Sequence, residues 1–196
     1  MTAEQAAALE SCIAAGGVAL FPADTVYGLA ADPRSEDAVE RLYAIKGRPP
    51  RRPSAVMFFS VGDALAALPE LGERTRSAIE RLLPGPVTAV LPNPSRRYPL
   101  ACADTPERIG VRVPALDAGP ARPVLQSSAN PSGGTDARRL EDVDPGIRSR
   151  VDLELDGGEL PGTPSSVVDL TGYEERGDWT VRREGAIALP RLRDLL

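Results

Sequence analysis

The sequence of 196 residues contains no histidine. This absence excludes Ser-His-Asp and Cys-His catalysis, HExxH metal sites and an imidazole general base. The two cysteines, Cys12 and Cys102, are far apart and form no CxxC pair, which excludes a zinc or thioredoxin-like motif and argues against a disulfide framework. Any chemistry must therefore depend on other side chains.

Long apolar runs are also absent. No segment approaches the roughly 18 apolar residues of a membrane span, and the first ten residues, MTAEQAAALE, lack the basic region that begins a secretion signal. Hydrophobic residues make up 42% and charged residues 26% of the chain, which is ordinary for a globular protein with a buried core. The sequence therefore predicts a soluble, cytoplasmic protein with one domain over residues 1–196 and no contact with a membrane.

Lysine is almost absent, because 22 of the 23 basic residues are arginine, while the net charge is −5. This acidic balance argues against a general nucleic-acid coat. The single lysine, Lys46, nevertheless lies in the densest basic run, KGRPPRR (46–52). Such a run is either a solvated surface loop or a clamp for a polyanion, because guanidinium groups donate paired hydrogen bonds to phosphate oxygens.

Helical and strand-like segments alternate along the chain. Amphipathic patterns with N-cap residues predict helices at 2–15, 35–46, 73–83 and 137–143, and one more that begins at Ser60. Apolar runs predict strands at 18–21, 54–59, 87–92, 108–113, 123–128, 151–155, 165–170 and about 179–183. The alternation indicates an α/β fold, a single domain in which helices flank a mixed, mostly buried sheet.

Polar loops follow several predicted strands, and ligands of open α/β sheets bind beyond strand ends. The loops with suitable groups are PADTVYG (22–28), KGRPPRR (46–52), SSANPSGG (127–134), GTPSS (162–166) and RREG (182–185). They contain no GxSxG, Walker A or GxGxxG motif, so their hydroxyl groups are expected to bind a ligand or to form simple turns. The acidic residues show no acid/base pairing and are expected to act in turns and caps: Asp24, Asp32, Asp104 and Asp156.

Taken in order, these segments resemble the YrdC/Sua5 family, the threonylcarbamoyl-AMP synthases. The matching stretches are FPADTVYGLAAD (21–32), AIKGRPP (44–50), LPGPVTAVL (83–91), VRVP (111–114), SSANPSGG (127–134), DGG (156–158), SSVVDLT (165–171) and RREGAI (182–187). The resemblance covers most of the chain and is to the single-domain form of the family. It implies a twisted sheet with flanking helices around a concave basic cleft.

The resemblance implies an enzyme, a nucleotidyltransferase. Such an enzyme uses L-threonine, bicarbonate or CO2, and ATP with Mg2+ to form L-threonylcarbamoyl adenylate and pyrophosphate. A partner transferase then passes the threonylcarbamoyl group to adenosine 37 of tRNA. Two alternatives remain open: a related protein that binds RNA or nucleotides without synthase activity, and an enzyme that transfers a carbamoyl group from carbamoyl phosphate.

Roles for individual nucleotide-binding residues also follow from the resemblance. Lys46 and Arg48 would be the catalytic groups on the ATP phosphates. Further contacts with ATP would come from Arg52, Ser128, Asn130 and Arg183. The resemblance assigns no protein ligand to a metal ion.

The resemblance assigns threonine to a second group of residues. Thr25 and Ser165 would hold the amino acid, and Arg112 would pair with its carboxylate. Arg112 lies inside an apolar strand pattern, and a partly buried guanidinium needs an anion in any case. Ala23 and Met57 replace a threonine and a histidine that are found in family members, which bears on the shape of the amino-acid pocket.

Overall fold

The structure, a computed structural model, describes residues 1–49 and 52–196. The strands are β1 (Ala19–Pro22), β2 (Tyr27–Ala31), β3 (Ala55–Met57), β4 (Val87–Pro92), β5 (Arg108–Arg112), β6 (Val124–Ser128), β7 (Leu153–Glu154), β8 (Ser166–Asp169) and β9 (Thr180–Arg183). The helices are α1 (Ala3–Ala14), α2 (Glu36–Lys46), α3 (Val61–Ala67), α4 (Glu73–Leu82), α5 (Pro99–Cys102), α6 (Pro145–Arg148), α7 (Tyr173–Arg176) and α8 (Leu189–Leu195).

The strands form one nine-stranded sheet in the order β7-β1-β2-β6-β3-β5-β4-β8-β9. The pairs β1–β7, β3–β5 and β4–β8 are parallel, and the other neighbours are antiparallel. The expected α/β fold with a mixed, twisted sheet and flanking helices is therefore confirmed. No helix within the described ranges is long and apolar enough to cross a membrane.

Side-chain caps fix the beginnings of the helices. The hydroxyl of Ser35 accepts a hydrogen bond from the Ala38 amide at the start of α2, and Ser60 accepts one from the Asp63 amide at the start of α3. Each cap satisfies one backbone N–H that has no partner inside its helix. Both helix beginnings agree with the sequence prediction.

The predicted helix over 137–143 is wrong. Only Leu140–Asp142 forms a helical turn, and it is a 3-10 turn. The carbonyl group of Ala137 accepts from the Tyr27 amide at 3.0 Å, and that of Arg138 accepts from the Leu160 amide at 2.8 Å. These long-range bonds hold the backbone extended, so tertiary contacts override the local helical pattern.

The sequence does not predict strand β2, because residues 22–28 have the pattern of a polar loop. In the structure β2 lies between β1 and β6, and all five of its residues are buried. Its pattern is a continuous run of small and apolar side chains without alternation. A central strand that is covered on both faces has this pattern, and periodicity does not distinguish it from other buried segments.

The two faces of the sheet are covered to different extents. The large core cluster packs the odd-numbered residues of β4 and β5, such as Ala89 and Val111, against helices that include α2 and α4. On the opposite face, a smaller cluster packs Leu9 and Ile13 of α1 against Met57 and other residues at one end of the sheet. The rest of this second face is left open as a cavity.

Candidate active site

The cavity on the open sheet face has a volume of about 320 Å³. This volume is in the range of pockets that bind small molecules. Five of the residues that line it are arginines: Arg48, Arg108, Arg112, Arg182 and Arg183. The other polar residues of the lining are Ser54, Thr88, Thr105, Gln126, Ser127, Ser128 and Ser165. The cavity therefore suits an anionic ligand with several hydrogen-bonding groups.

Strand alternation builds the wall of this cavity. Arg108, Gly110 and Arg112 of β5 all line it, because residues two apart in a strand face the same side. Their neighbours Ile109 and Val111 point into the large core. The absence of a side chain at Gly110 keeps the middle of the wall low.

The strand register separates two ends of the cavity. Ala55 of β3 pairs with both Gln126 of β6 and Gly110 of β5. Because β6 runs opposite to β5, Ser128 lies two residues to one side of this row and Arg112 two residues to the other. Four residues of strand correspond to roughly 13 Å. The cavity can thus contact two separate parts of one extended ligand, or two ligands side by side.

Arg48 lies at the Ser128 end. Helix α2 ends at Gly47, whose φ of +58° is in the left-handed region that glycine adopts without strain. The turn directs Arg48 towards the cavity, where its Nη2 donates to the Pro53 carbonyl at 2.6 Å and its guanidinium lies 5.8 Å from the centre of the Tyr43 ring. Its Nε atom is buried and has no hydrogen-bond partner among the described residues. Burial lowers the pKa of Arg48.

Lys46 lies behind the loop that carries Ser128 and Asn130. Its ammonium group donates to the carbonyl oxygen of Ser128, to the carbonyl oxygen of Asn130 at 2.7 Å and to Oδ1 of Asn130 at 3.1 Å. An ammonium group has three N–H bonds, so these contacts use all of them. Lys46 is 3% exposed. Lys46 therefore holds this loop in place and does not project into the cavity.

The buried ammonium group has a consequence for stability. Burial, and secondly Arg48, lower the pKa of Lys46 to about 8. Between about pH 8 and pH 10 the unfolded chain keeps a proton on this side chain that the folded protein has largely released. The contribution of Lys46 to the free energy of unfolding should therefore rise with pH, by up to about 1.4 kcal/mol per pH unit.

Urea unfolding at about pH 7.5, 8.5 and 9.5 measures this contribution as the difference between wild type and Lys46→Met. The subtraction removes the effects of Cys102 and Tyr27, whose pKa values are raised to about 11 and about 12 by burial. We expect the difference to increase with pH. A flat or decreasing difference would mean that folded Lys46 stays protonated throughout this range.

Arg112 lies at the other end of the cavity and is 3% exposed. Its Nη2 donates to the carbonyl of Ala23 at 2.9 Å, to Oγ1 of Thr25 at 2.8 Å and to the carboxylate of Asp24. The expectation that this guanidinium needs an anion is confirmed, and Asp24 supplies that anion. The Nε atom of Arg112 is buried without a partner among the described residues.

Ser165 and Arg183 form the wall next to Arg112. Nη2 of Arg183 donates to the carbonyl oxygen of Ser165 at 2.8 Å and to its hydroxyl at 3.3 Å. The Ser165 hydroxyl also lies 2.9 Å from Oγ1 of Thr88. Arg183 is close enough to Arg112 to contribute to lowering its pKa, although burial is the main cause.

Three of the five arginines are paired with carboxylates: Arg112 with Asp24, Arg182 with Asp169, and Arg108 with Glu107. Within residues 1–49 and 52–196, no carboxylate pairs with Arg48 or Arg183. Backbone carbonyl groups orient these two without neutralising them. The excess positive charge of the cavity therefore comes from Arg48 and Arg183.

The structure brings most of the predicted site residues together. Five line the cavity: Arg48, Arg112, Ser128, Ser165 and Arg183. Three are buried directly behind it and contact those residues: Thr25, Lys46 and Asn130. Arg52 is exposed and is not part of the lining, whereas Pro50 and Arg51 of the basic run lie outside the described residues.

The two positions that depart from the family pattern are placed differently. Ala23 contributes its carbonyl group to Arg112, so it borders the amino-acid end of the site. Met57 is completely buried in the cluster under α1 and is not part of the described lining.

The sequence did not point to several cavity residues, of which Gln126 is the most informative. This residue is 6% exposed and lines the cavity, yet no hydrogen bond joins its amide to another described residue. A Cβ atom on Gly28 would lie 2.7 Å from Nε2 of Gln126, so glycine at 28 makes room for this amide. Its position on the same strand face as Ser128 was a usable signal, because 126 and 128 are two apart.

No cluster of three or more Asp, Glu, His or Cys side chains that could hold a metal ion occurs in the described part of the chain. Asp32 and Asp156 act in turns, as expected, by accepting from the amides of Arg34 and Gly158. Asp24 has a different environment, because it is buried against Arg112.

The fold and the cavity define a class of protein: an α/β protein with an arginine-lined cavity against one face of a mixed sheet. Residues 11–185 match the Sua5/YciO/YrdC family model, described as telomere recombination. Because this match spans most of the sequence, the chain belongs to the Sua5/YciO/YrdC family.

Curated relatives carry the name threonylcarbamoyl-AMP synthase. The protein from Pyrococcus abyssi is 32% identical over 165 residues, which are 81% of this chain and 48% of the relative. The protein from Marinobacter nauticus is 32% identical over 181 residues, which are 88% of this chain and 95% of the relative. The chain thus spans about half the length of the first relative and nearly all of the second.

A solved structure of P. abyssi Sua5 in complex with L-threonine superposes on the whole chain with a TM-score of 0.86 and 27% identity. The chain covers 58% of that protein. The expected family membership is therefore confirmed by both sequence and structure.

Proposed function

We propose that this protein is an L-threonylcarbamoyladenylate synthase. It would form threonylcarbamoyl-AMP and pyrophosphate from L-threonine, bicarbonate or CO2, and ATP, which makes it a nucleotidyltransferase. The names of its relatives and the threonine complex of P. abyssi Sua5 support this proposal. The observation that carries it is the cavity with two unneutralised arginines and two buried, unpartnered guanidinium Nε atoms.

The two ends of the cavity suit the two larger substrates. Arg48 offers donors for the phosphates of ATP at one end, beside Ser128, whose hydroxyl donates to Oδ1 of Asn130 and whose carbonyl oxygen accepts from Lys46. At the other end, Arg112 offers donors for the carboxylate of threonine. The backbones of Ser128 and Arg112 are about 13 Å apart along the strands, so the two substrates would approach the cavity from different strand ends.

The remaining residues proposed for substrates complete these two ends. Thr25 supports Arg112 through its hydroxyl. Ser165 and Arg183 lie together on the wall next to Arg112, where Ser165 would contact threonine and Arg183 the part of the nucleotide that reaches this end. Arg52 is a weaker candidate for ATP, because its side chain is exposed outside the cavity lining.

The reaction needs positioning and charge stabilisation more than a general base. The amine of threonine adds to CO2 and loses a proton, which gives N-carboxythreonine. A carboxylate oxygen of this carbamate attacks the α-phosphorus of ATP, the bond from that phosphorus to the bridging oxygen breaks, and pyrophosphate leaves. Arg48 and Arg183 would stabilise the charge on the phosphates, and the cavity would hold the reactants in line.

Mg2+ would enter as part of the ATP complex. With no carboxylate cluster among the described residues, phosphate oxygens and water would supply most of its ligands, as Mg2+ prefers. The ion would neutralise phosphate charge alongside the arginines.

The product is a reactive mixed anhydride, so a second protein must consume it. We propose that a threonylcarbamoyl transferase passes the group to adenosine 37 of tRNA in the cytoplasm. Direct contact between this chain and the RNA would need a basic surface near the cavity mouth, for which Arg52 is a candidate.

Pyrophosphate release from ATP and Mg2+ tests the proposal. Threonine and bicarbonate are omitted in turn, and the adenylate is identified by mass spectrometry. We expect release only when both co-substrates are present. No release by folded protein under any mixture would contradict the synthase and favour a nucleotide- or RNA-binding protein, which titration with RNA at increasing salt would then reveal.

A further inference from the structure

We propose that Asp24 is a positioning residue that fixes the guanidinium of Arg112, so that its free Nη1 donates to the carboxylate of the amino-acid substrate. The identity of that substrate rests on the proposed function. The proposal assigns a role in the reaction to a residue that the sequence pattern had placed in an ordinary turn.

The hydrogen bonds of Arg112 to the described residues leave Nη1 of its guanidinium free. All of its bonds to the described residues come from Nη2 and go to the segment Ala23–Thr25. Nε is buried and unpartnered among the same residues, and Arg112 lines the cavity. The Nε–H bond lies on the same side of the guanidinium as the engaged Nη2. Nη1 donates no hydrogen bond to the described residues, so it is the nitrogen available to a ligand in the cavity.

The carboxylate of Asp24 is held at both oxygens. Oδ1 accepts from Nη2 of Arg112, and Oδ2 accepts from the backbone amide of Ala115 at 3.1 Å. The side chains of Arg112 and Asp24 are only 4% and 8% exposed. Water therefore has little access to the pair, and each partner has few other orientations.

The backbone at Asp24 indicates that this placement is maintained at a cost. Its φ is +63°, in the left-handed region, which is strained for a residue with a side chain. The Thr25 amide donates to the Ala23 carbonyl at 2.9 Å and closes the turn around it. Asparagine and aspartate tolerate this conformation better than most residues. Replacement by asparagine thus keeps the backbone and removes the charge.

The alternative to positioning is that Asp24 only neutralises the charge of Arg112, and an experiment can distinguish these two roles. If Asp24 only neutralised Arg112, its removal would leave an unbalanced cation and strengthen the binding of a carboxylate. If Asp24 orients Arg112, its removal weakens that binding, because Nη1 of Arg112 is no longer held in one orientation. The two roles predict opposite changes in the KM for threonine.

The test compares Asp24→Asn with wild type in the pyrophosphate-release assay. We expect the KM for threonine to rise roughly 10- to 100-fold, while kcat and the KM for ATP change by less than about threefold. In an Arg112→Lys background the same substitution should add little, because the guanidinium is already lost. An unchanged or lower KM for threonine in folded Asp24→Asn would overturn the proposal.

Asp152→Asn is the matched control. Asp152 also accepts from a backbone amide, that of Val18, and from an arginine, Arg41, but it lies outside the cavity lining. Its substitution should leave the KM values for both substrates unchanged. A comparable rise in the KM for threonine in this control would assign the effect to general loss of stability and overturn the proposal.

A spectroscopic signal separates this proposal from the proposed function. The ¹⁵N–¹H signal of Arg112 Nε, assigned by its absence in Arg112→Lys, should be sharp in wild type and broadened or shifted in Asp24→Asn. If wild type formed no adenylate, the proposed function would fail, but this signal would still report whether Asp24 fixes Arg112. Identical Nε signals in the two proteins would overturn the positioning role.

Discussion

Replacement of Arg48 by alanine should lower adenylate formation by roughly 1000-fold or more and leave the fold intact. Arg48 is one of two cavity arginines without a carboxylate partner in the described part of the chain, and its buried Nε has no partner there. The substitution removes the cation that lines this end of the cavity, because Lys46 and Arg52 are not part of the lining. Arg48→Lys should recover only a small part of the activity, because an ammonium group cannot form the paired contact.

Arg34→Ala is a suitable control for this experiment. Arg34 lies 5.9 Å from the centre of the Tyr98 ring, much as Arg48 lies 5.8 Å from that of Tyr43, but Arg34 is outside the cavity lining. Pyrophosphate release and circular dichroism should match wild type in this control. Near-normal turnover in Arg48→Ala would remove Arg48 from the phosphate site.

Gly110→Val should lower activity by about 100-fold without weakening the fold. Gly110 forms the low middle of the cavity wall, between the Ser128 and Arg112 ends. A Cβ atom there would meet only ordinary contacts, at 3.5 Å from Ala55 and 3.7 Å from Thr88, so the larger branches of valine extend into the cavity. Valine suits a strand, and the free energy of unfolding should stay constant or rise by about 0.5–1 kcal/mol.

Gly110→Ala provides the graded comparison, since its single methyl group fits beside Ala55 and Thr88. We expect less than about a tenfold loss of turnover and a similar stability from urea unfolding. Full activity in Gly110→Val would mean that the substrates bind elsewhere.

Local patterns in the sequence determined much of the fold. The caps at Ser35 and Ser60 and the alternating residues of β4 and β5 are short-range features, and these elements formed as expected. The helix over 137–143 failed because Ala137 is hydrogen-bonded to Tyr27, more than 100 residues away. Propensity carries no information about such a partner.

For the candidate site too, the sequence does not reveal contacts between residues that are far apart in the chain. Motif resemblance singled out Arg48, Arg112 and Ser165, and the structure places them around one cavity. The resemblance did not distinguish the positions of Arg48 and Lys46. Arg48 lines the cavity, whereas Lys46 lies behind the loop that carries Ser128 and Asn130. The pairing of Asp24 with Arg112 joins residues 88 apart in sequence, so only the folded chain reveals it.

Carbonyl groups orient Arg48 and Arg183 without neutralising them. Binding of an anion in the cavity should therefore increase the free energy of unfolding. In the free protein no carboxylate among the described residues neutralises these two cations, and Arg183 repels the buried Arg112. A bound polyanion relieves this repulsion and stabilises the folded chain by RT ln(1 + [L]/Kd), about 2.7 kcal/mol at a hundredfold excess over Kd. The abundance of the protein in a cell would then follow the supply of its own anionic substrate.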